Sequence, residues 1–191
     1  ILMRGAGCTW NDITDSKLDA KVTRTKNRPI ASGQLSKIQA LTWLLIQCLL
    51  AFTILITFNK LAILLGFLSI STILIYPFAK RFTYWPQLFL GISFNWGVLL
   101  AFAASCNSLT FDALALYVSG IFWTIFYDTI YSLQDIEDDR KVGIKSTALL
   151  FGNKTKVILF AFLILITCIN SFVVFRVADQ DTIHFIILEL G

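Results

Sequence analysis

Long apolar runs separated by short polar segments dominate the chain. They cover Ile38 to Phe58, Leu61 to Phe78, Leu88 to Ala104, Phe111 to Leu133 and Val157 to Val177, each almost free of charge. A bilayer core of about 30 Å takes about 17 to 25 residues of helix, and runs of this length exceed a buried strand. The pattern predicts five membrane-spanning helices. Ile1 to Trp10 has the character of the end of an earlier helix, and Ile183 to Leu190 that of the start of a later one. The chain is therefore expected to be part of a longer protein. It begins with Ile, and it lacks the succession of basic segment, apolar stretch and small-residue cleavage site that marks a signal peptide.

Composition agrees with a membrane class: 57% of the 191 residues are hydrophobic and 15% are charged. No repeat, low-complexity tract or Gly/Ser linker divides the sequence, so one all-α transmembrane domain over residues 1–191 is expected. A lipid bilayer is the expected surroundings and no nucleic acid the expected partner. Oligomeric state is not legible, because lipid-facing and partner-facing surfaces look alike in apolar sequence. Cys8, Cys48, Cys106 and Cys168 are widely spaced, without a zinc or disulfide pattern, and read as small apolar packing residues. His184, the one histidine, reads as incidental, and Trp85 and Trp96 as interfacial or packing residues.

Charge is distributed unevenly about the spans. Alternate passage puts Asn11 to Lys37, Ala79 to Gln87 and Asp135 to Lys156 on one side. Those connections carry Lys17, Lys21, Arg24, Lys26, Arg28, Lys37, Lys80, Arg81, Arg140, Lys141, Lys145, Lys154 and Lys156, thirteen of the sixteen basic residues. Such loops stay in the cytoplasm or its topological equivalent.

The acidic residues fall on the same side, in two clusters. In the first, Asn11, Asp15 and Asp19 recur at four-residue steps, with Asp12 adjoining Asp15; in the second, Asp128, Tyr131, Asp135 and Asp139 lie on or near one helical face. Like charges at this spacing destabilise an isolated helix by a few tenths of a kcal/mol, so the stripes point to a cation between them. Magnesium is such a cation. It takes oxygen ligands, often only one or two carboxylates, with phosphate and water completing the shell. Arg24, Arg28, Lys80 and Arg81 on the same side could hold a diphosphate's outer oxygens.

Charged loop residues are ordinarily just a solvated face. Asp128 resists that explanation, because it follows the apolar run from Ala113 to Tyr127, where a carboxylate without a partner is costly. Tyr76 and Tyr131 are compatible either with a membrane-boundary belt or with a site.

These segments together resemble the UbiA family of intramembrane prenyltransferases, particularly its branch acting on 4-hydroxybenzoate in ubiquinone synthesis. Arg4-Gly5-Ala6-Gly7-Cys8 with Asn11 to Asp19 resembles the family's first acidic signature, and Arg24 to Pro29 the basic segment after it. Tyr76 to Arg81 with Tyr84 to Gln87 looks like the next shared block. Tyr127 to Tyr131, through Asp135 and Asp139 to Gly143–Ala148, resembles the second acidic signature. The blocks run from Arg4 to Gly152; from Val177 onward no family motif is recognisable.

The resemblance implies a multi-helix transmembrane bundle around a central cavity, with the terminal helices missing from this chain. It implies an enzyme that transfers a polyprenyl group from polyprenyl diphosphate to the ring of 4-hydroxybenzoate, with Mg2+ as cofactor. Asn11, Asp15, Asp19, Asp135 and Asp139 would bind metal, with Asp12 assisting. Arg24, Arg28, Lys80 and Arg81 would contact diphosphate or the acceptor's carboxylate, and Asp128, Tyr76 and Tyr131 would shape the acceptor site. Asp128, Asp135 and Arg81 would be the catalytic groups. The expected location is a bacterial inner membrane or, alternatively, the mitochondrial inner membrane, with the site facing cytoplasm or matrix. Two other readings stay open: a haem or other quinone-precursor acceptor within the family, and a membrane cation transporter outside it.

Overall fold

The computed structural model describes residues 1–178, all of its regular structure helical. α1 spans Leu2–Asp19 and is followed by an irregular connection. α2, Lys37–Leu55, starts at a capping box in which Ser36 and Gln39 satisfy each other's backbone N–H groups. α3, Lys60–Phe82, is capped by Asn59, whose amide also donates to the Ala103 carbonyl and ties two connections at one end of the bundle. α4 is Pro86–Phe94, with proline at its first turn, and α5 is Trp96–Cys106. α6, Phe111–Ser132, passes through a 3-10 turn, Leu133–Asp135, into α7, Ile136–Val142. Gly143, at φ 78, ends α7 in the left-handed conformation that glycine adopts without strain. α8, Thr147–Phe151, and a 3-10 turn, Gly152–Lys154, lead into α9, Thr155–Val177.

Five stretches are long and apolar enough to cross a membrane, as the hydrophobic pattern predicts. Their outer surfaces expose Trp43, Leu49, Phe67, Phe160 and Phe175, a coat that suits hydrocarbon and not water. With no hydrophobic drive between helices in lipid, close packing of small residues does the joining. Ala62, Leu65, Leu99 and Ala103 form one such contact, with Trp96 and Tyr117 against it. Gly91 brings α4 onto α6, where an added Cβ would lie 3.2 Å from the Ile121 backbone. Directed hydrogen bonds fix the register: Trp96 Nε1 donates to Leu65 O at 2.9 Å, Tyr117 Oη to Ile92 O at 2.9 Å, and Ser119 Oγ to Asn170 Oδ1 at 2.9 Å.

Three expectations change. The third span is not one helix but two, broken at Asn95. Its amide donates to Gly91 O at 2.8 Å and to Thr124 Oγ1 at 2.9 Å, so the side chain occupies a helical carbonyl and crosses to α6. The second acidic cluster likewise does not continue a single helix, because α6 yields to the 3-10 turn before Asp135. Cys8, Cys106 and Cys168 lie on the outer surface and Cys48 is half-buried, so three of the four are not interior packing residues; none is in a disulfide. Ile183 to Leu190 and His184 lie outside the described residues.

Candidate active site

A polar cavity of about 270 Å³ opens at one end of the bundle, where α1 and α3 end, α4 begins and α6 hands over to α7. Asn11 and Asp19 enter it from α1; Asp128, Tyr131, Asp135 and Asp139 enter from the α6–α7 corner. Tyr76 and Lys80 come from the last turns of α3, while Arg24 and Arg28 come from the connection after α1. The two acidic clusters, more than a hundred residues apart in sequence, thus face one space.

The connection after α1 is laced to both clusters. Arg24 makes a two-pronged pair with Asp135, Nε 3.0 Å from each carboxylate oxygen and Nη2 2.5 Å from Oδ2. Its guanidinium also lies 4.8 Å from the Tyr131 ring centroid. The hydrogen bonds to Asp135 push the Arg24 pKa above even the usual arginine range. Arg28 Nη1 sits 3.0 Å from both Asp12 and Asp19, and the Thr23 N–H donates to Asp138 Oδ2 at 3.1 Å. Planar guanidinium groups suit such forked contacts, and the same geometry matches phosphate oxygens.

Not every expected residue reaches the cavity wall. Asp15 is fully buried behind it, with Lys80 Nζ at 2.6 Å and Arg81 Nη2 at 3.5 Å. The contact with Lys80 is close, yet neither carboxylate oxygen accepts a well-directed hydrogen bond. Asp12 turns to Arg28 and is absent from the lining, as is Arg81. Lys80 and Arg81 are neighbours on a helix and point about 100° apart, so only Lys80 faces the space. Arg81 instead donates to Thr14 O at 3.0 Å and lies over Phe78. Asp15 and Arg81 are therefore placed to hold α1 against α3.

Other residues line the cavity that sequence reasoning did not assign. Gln87, 3% exposed, accepts the Thr147 N–H at 3.1 Å and so joins the start of α4 to α8. Lys145 donates its backbone N–H to Lys80 O at 2.9 Å and its ammonium to Phe82 O at 3.2 Å, which fastens the loop after α7 over the end of α3. Ser146 completes that wall. The only sequence signal for them was their presence inside the shared blocks.

Among the described residues no three acidic side chains converge into a ready-made metal cage. The donors nonetheless suit a hard cation that arrives with phosphate: Asn11, Asp19, Asp135 and Asp139, each carrying a side-chain oxygen, line one cavity. Among the described residues Asp139, 7% exposed, makes no ion pair, and Asp15 keeps two oxygens without hydrogen bonds.

Five apolar spans, with a cavity of interleaved carboxylates and cations at one end of the bundle, define an integral membrane protein. The chain belongs to the UbiA prenyltransferase family, whose profile matches residues 1–189. It is 52% identical over 163 residues to 4-hydroxybenzoate polyprenyltransferase, mitochondrial, of Drosophila pseudoobscura pseudoobscura, covering 85% of this chain and 41% of that one. The human protein of the same name is 52% identical over 159 residues, covering 82% and 42%. The chain thus spans less than half the length of these curated relatives. The apo structure of a UbiA homolog from Aeropyrum pernix K1 superposes with a TM-score of 0.77 at 29% identity, covering 88% of this chain and 64% of that one.

Proposed function

We propose that this chain carries the diphosphate site of an enzyme that transfers a polyprenyl group from polyprenyl diphosphate to the ring of 4-hydroxybenzoate, in ubiquinone biosynthesis. The observation that carries the reading is the single cavity shared by both acidic clusters and by Arg24, Arg28 and Lys80. The relatives named 4-hydroxybenzoate polyprenyltransferase support this acceptor over haem or another quinone precursor. A cation transporter would need ionisable groups along a path through the membrane, whereas these gather at one end. The word mitochondrial in the relatives' names favours a mitochondrial inner membrane over a bacterial one, with the site facing the matrix.

Asn11, Asp19, Asp135 and Asp139 are the residues to hold magnesium, with Asp12 and Asp15 supporting them from behind the wall. Bound with the diphosphate, the metal supplies neutralisation of the leaving group's charge. Arg24, Arg28 and Lys80 change partner from carboxylate to phosphate oxygen as donor enters, and so stabilise charge that grows as the allylic carbon–oxygen bond breaks. Its electron pair leaves with the diphosphate. The ring carbon beside the phenol then forms the new carbon–carbon bond, and Asp128 accepts the proton that carbon loses. Tyr76 and Tyr131 bound the acceptor space, and the surrounding spans keep water from the cation.

The test uses membranes in which the gene is expressed, supplied with radiolabelled 4-hydroxybenzoate and a polyprenyl diphosphate, with magnesium or with a chelator. Label should enter the lipid fraction with magnesium and not with chelator. Absence of transfer from well-folded protein would reject this acceptor.

A further inference from the structure

Among the described residues Asp128 forms no ion pair, although it lines the cavity; Arg24, whose charge reaches it, is held by Asp135. A carboxylate that follows an apolar run needs a hydrogen-bond donor to satisfy it and to fix its direction. The side-chain amide of Gln87, buried in the same cavity wall, is within hydrogen-bonding reach of it. Helix packing brings the two together. Gln87 lies one turn before Gly91, where α4 meets the α6 backbone, and Asp128 lies two turns beyond Ile121 on the same face of α6.

A glutamine amide can present either end, and here the choice is fixed. Gln87 Oε1 accepts the Thr147 N–H at 3.1 Å; turned over, the amide would set its own N–H groups against that donor. Nε2 is therefore the end left for Asp128. Thr147 is itself fully buried and tied to α6 a second time. The Thr129 hydroxyl gives its one hydrogen to Ile125 O at 2.6 Å, so in the 2.6 Å pair of hydroxyls Thr147 donates to Thr129. Trp85 packs edge-on against Phe151, with 5.6 Å between ring centroids, and closes the same joint between α4 and α8. The path from Asp128 through Gln87 and Thr147 thus returns to Thr129, the next residue of α6, as a closed ring.

We propose that Gln87 is the positioning residue for Asp128: it donates to one carboxylate oxygen and keeps the other turned to the ring carbon that carries the new bond. This rests on the proton-acceptor role given to Asp128 above. In that step the carbon–hydrogen bond breaks, its electron pair restores the aromatic ring, and the proton passes to the free carboxylate oxygen. Gln87 exchanges no proton; it holds the acceptor of one, and the ring through Thr147 and Thr129 holds Gln87.

The experiment compares wild type, Gln87→Ala, Gln87→Glu, Asp128→Asn and the double variant of Asp128→Asn with Gln87→Ala in membranes, using 4-hydroxybenzoate and its ring-deuterated form as acceptors. Gln87→Ala should lower kcat about tenfold to a hundredfold, as a displaced reacting group does, with the KM for each substrate within about threefold of wild type. Gln87→Glu keeps an oxygen for the Thr147 N–H and loses the donor to Asp128, so it should also fall at least about tenfold; a glutamine that only joined α4 to α8 would tolerate it. Slower proton loss should raise the ratio of rates with light and deuterated acceptor above that of wild type, to about two or more, in both Gln87 variants. With Asp128 already replaced, adding Gln87→Ala should cost less than about twofold, because the two act as a unit. An unchanged isotope ratio, losses that multiply in the double variant, or wild-type transfer by Gln87→Glu overturns the positioning role while leaving the transferase reading intact. Wild-type kcat in Asp128→Asn overturns the proton-acceptor reading beneath it, and a wild-type protein that does not prenylate 4-hydroxybenzoate overturns the acceptor itself.

Discussion

The two ends of the bundle use ion pairs for different purposes. At the end away from the cavity, Arg176 and Asp112 form one pair at 3.0 Å between the start of α6 and the end of α9. The guanidinium lies between the Phe111 and Phe172 rings, at 5.5 and 5.8 Å, and among the described residues Asp112 is its one ion-pair partner. Among the described residues one acid meets one base there, with the arginine side chain half exposed, and the result is a clasp. At the polar end the carboxylates crowd together: Arg28 is shared by Asp12 and Asp19, Asp15 is buried between Lys80 and Arg81, and Asp139 forms no direct ion pair among the described residues. Crowded, partly unpaired carboxylates beside a cavity cost stability that a single clasp does not, and a charged ligand offsets that cost only when it binds.

The largest effects should therefore follow changes at the crowded end. Asp135→Asn or Asp19→Asn should lower prenyl transfer by at least about a hundredfold, as removal of one preorganised electrostatic group commonly does, with the protein still extractable in folded form. A rate within a few-fold of wild type would remove those residues from the site. Arg24→Gln, which deletes the cation proposed to pass from Asp135 to phosphate, should raise the KM for polyprenyl diphosphate about tenfold. A change confined to the acceptor's KM would reassign Arg24.

Packing gives a smaller effect. A Cβ added at Gly120 would lie 2.4 Å from Asn95 Oδ1, an atom fixed by the amide's own bonds to Gly91 and Thr124. Gly120→Ala should lower stability by about 1 to 3 kcal/mol, read as an earlier thermal midpoint in detergent. The smallest effect belongs to the clasp. Asp112→Asn should cost about 0 to 1 kcal/mol and leave transfer unchanged, since an exposed pair contributes little. A loss of activity there would erase the distinction between the ends.

Much of this was legible in the chain. Five apolar runs mark the spans, because hydrocarbon permits few alternatives. The four-residue steps from Asn11 to Asp19 form one stripe of α1, of which Asn11 and Asp19 line the cavity and Asp15 does not. The break at Asn95 was hidden, since a single amide within Leu88 to Ala104 hardly changes hydropathy and its partner Thr124 lies on another helix. Spacing also could not tell Lys80 from Arg81, or show that Asp15 points behind the cavity wall, because those outcomes depend on where α1 meets α3. Gln87 and Lys145 gain their places only through contacts about sixty residues away in sequence, with Thr147 and with the end of α3.

The central claim is that two acidic clusters on separate helices serve one diphosphate. The most direct measurement is the affinity for a non-reacting polyprenyl thiolodiphosphate, with magnesium, in Asp19→Asn, in Asp135→Asn and in the double variant. Groups that act as a unit are non-additive, so the double variant should bind no more than a few-fold more weakly than the worse single one. Losses that multiply, or undiminished affinity in either single variant, would contradict a shared site.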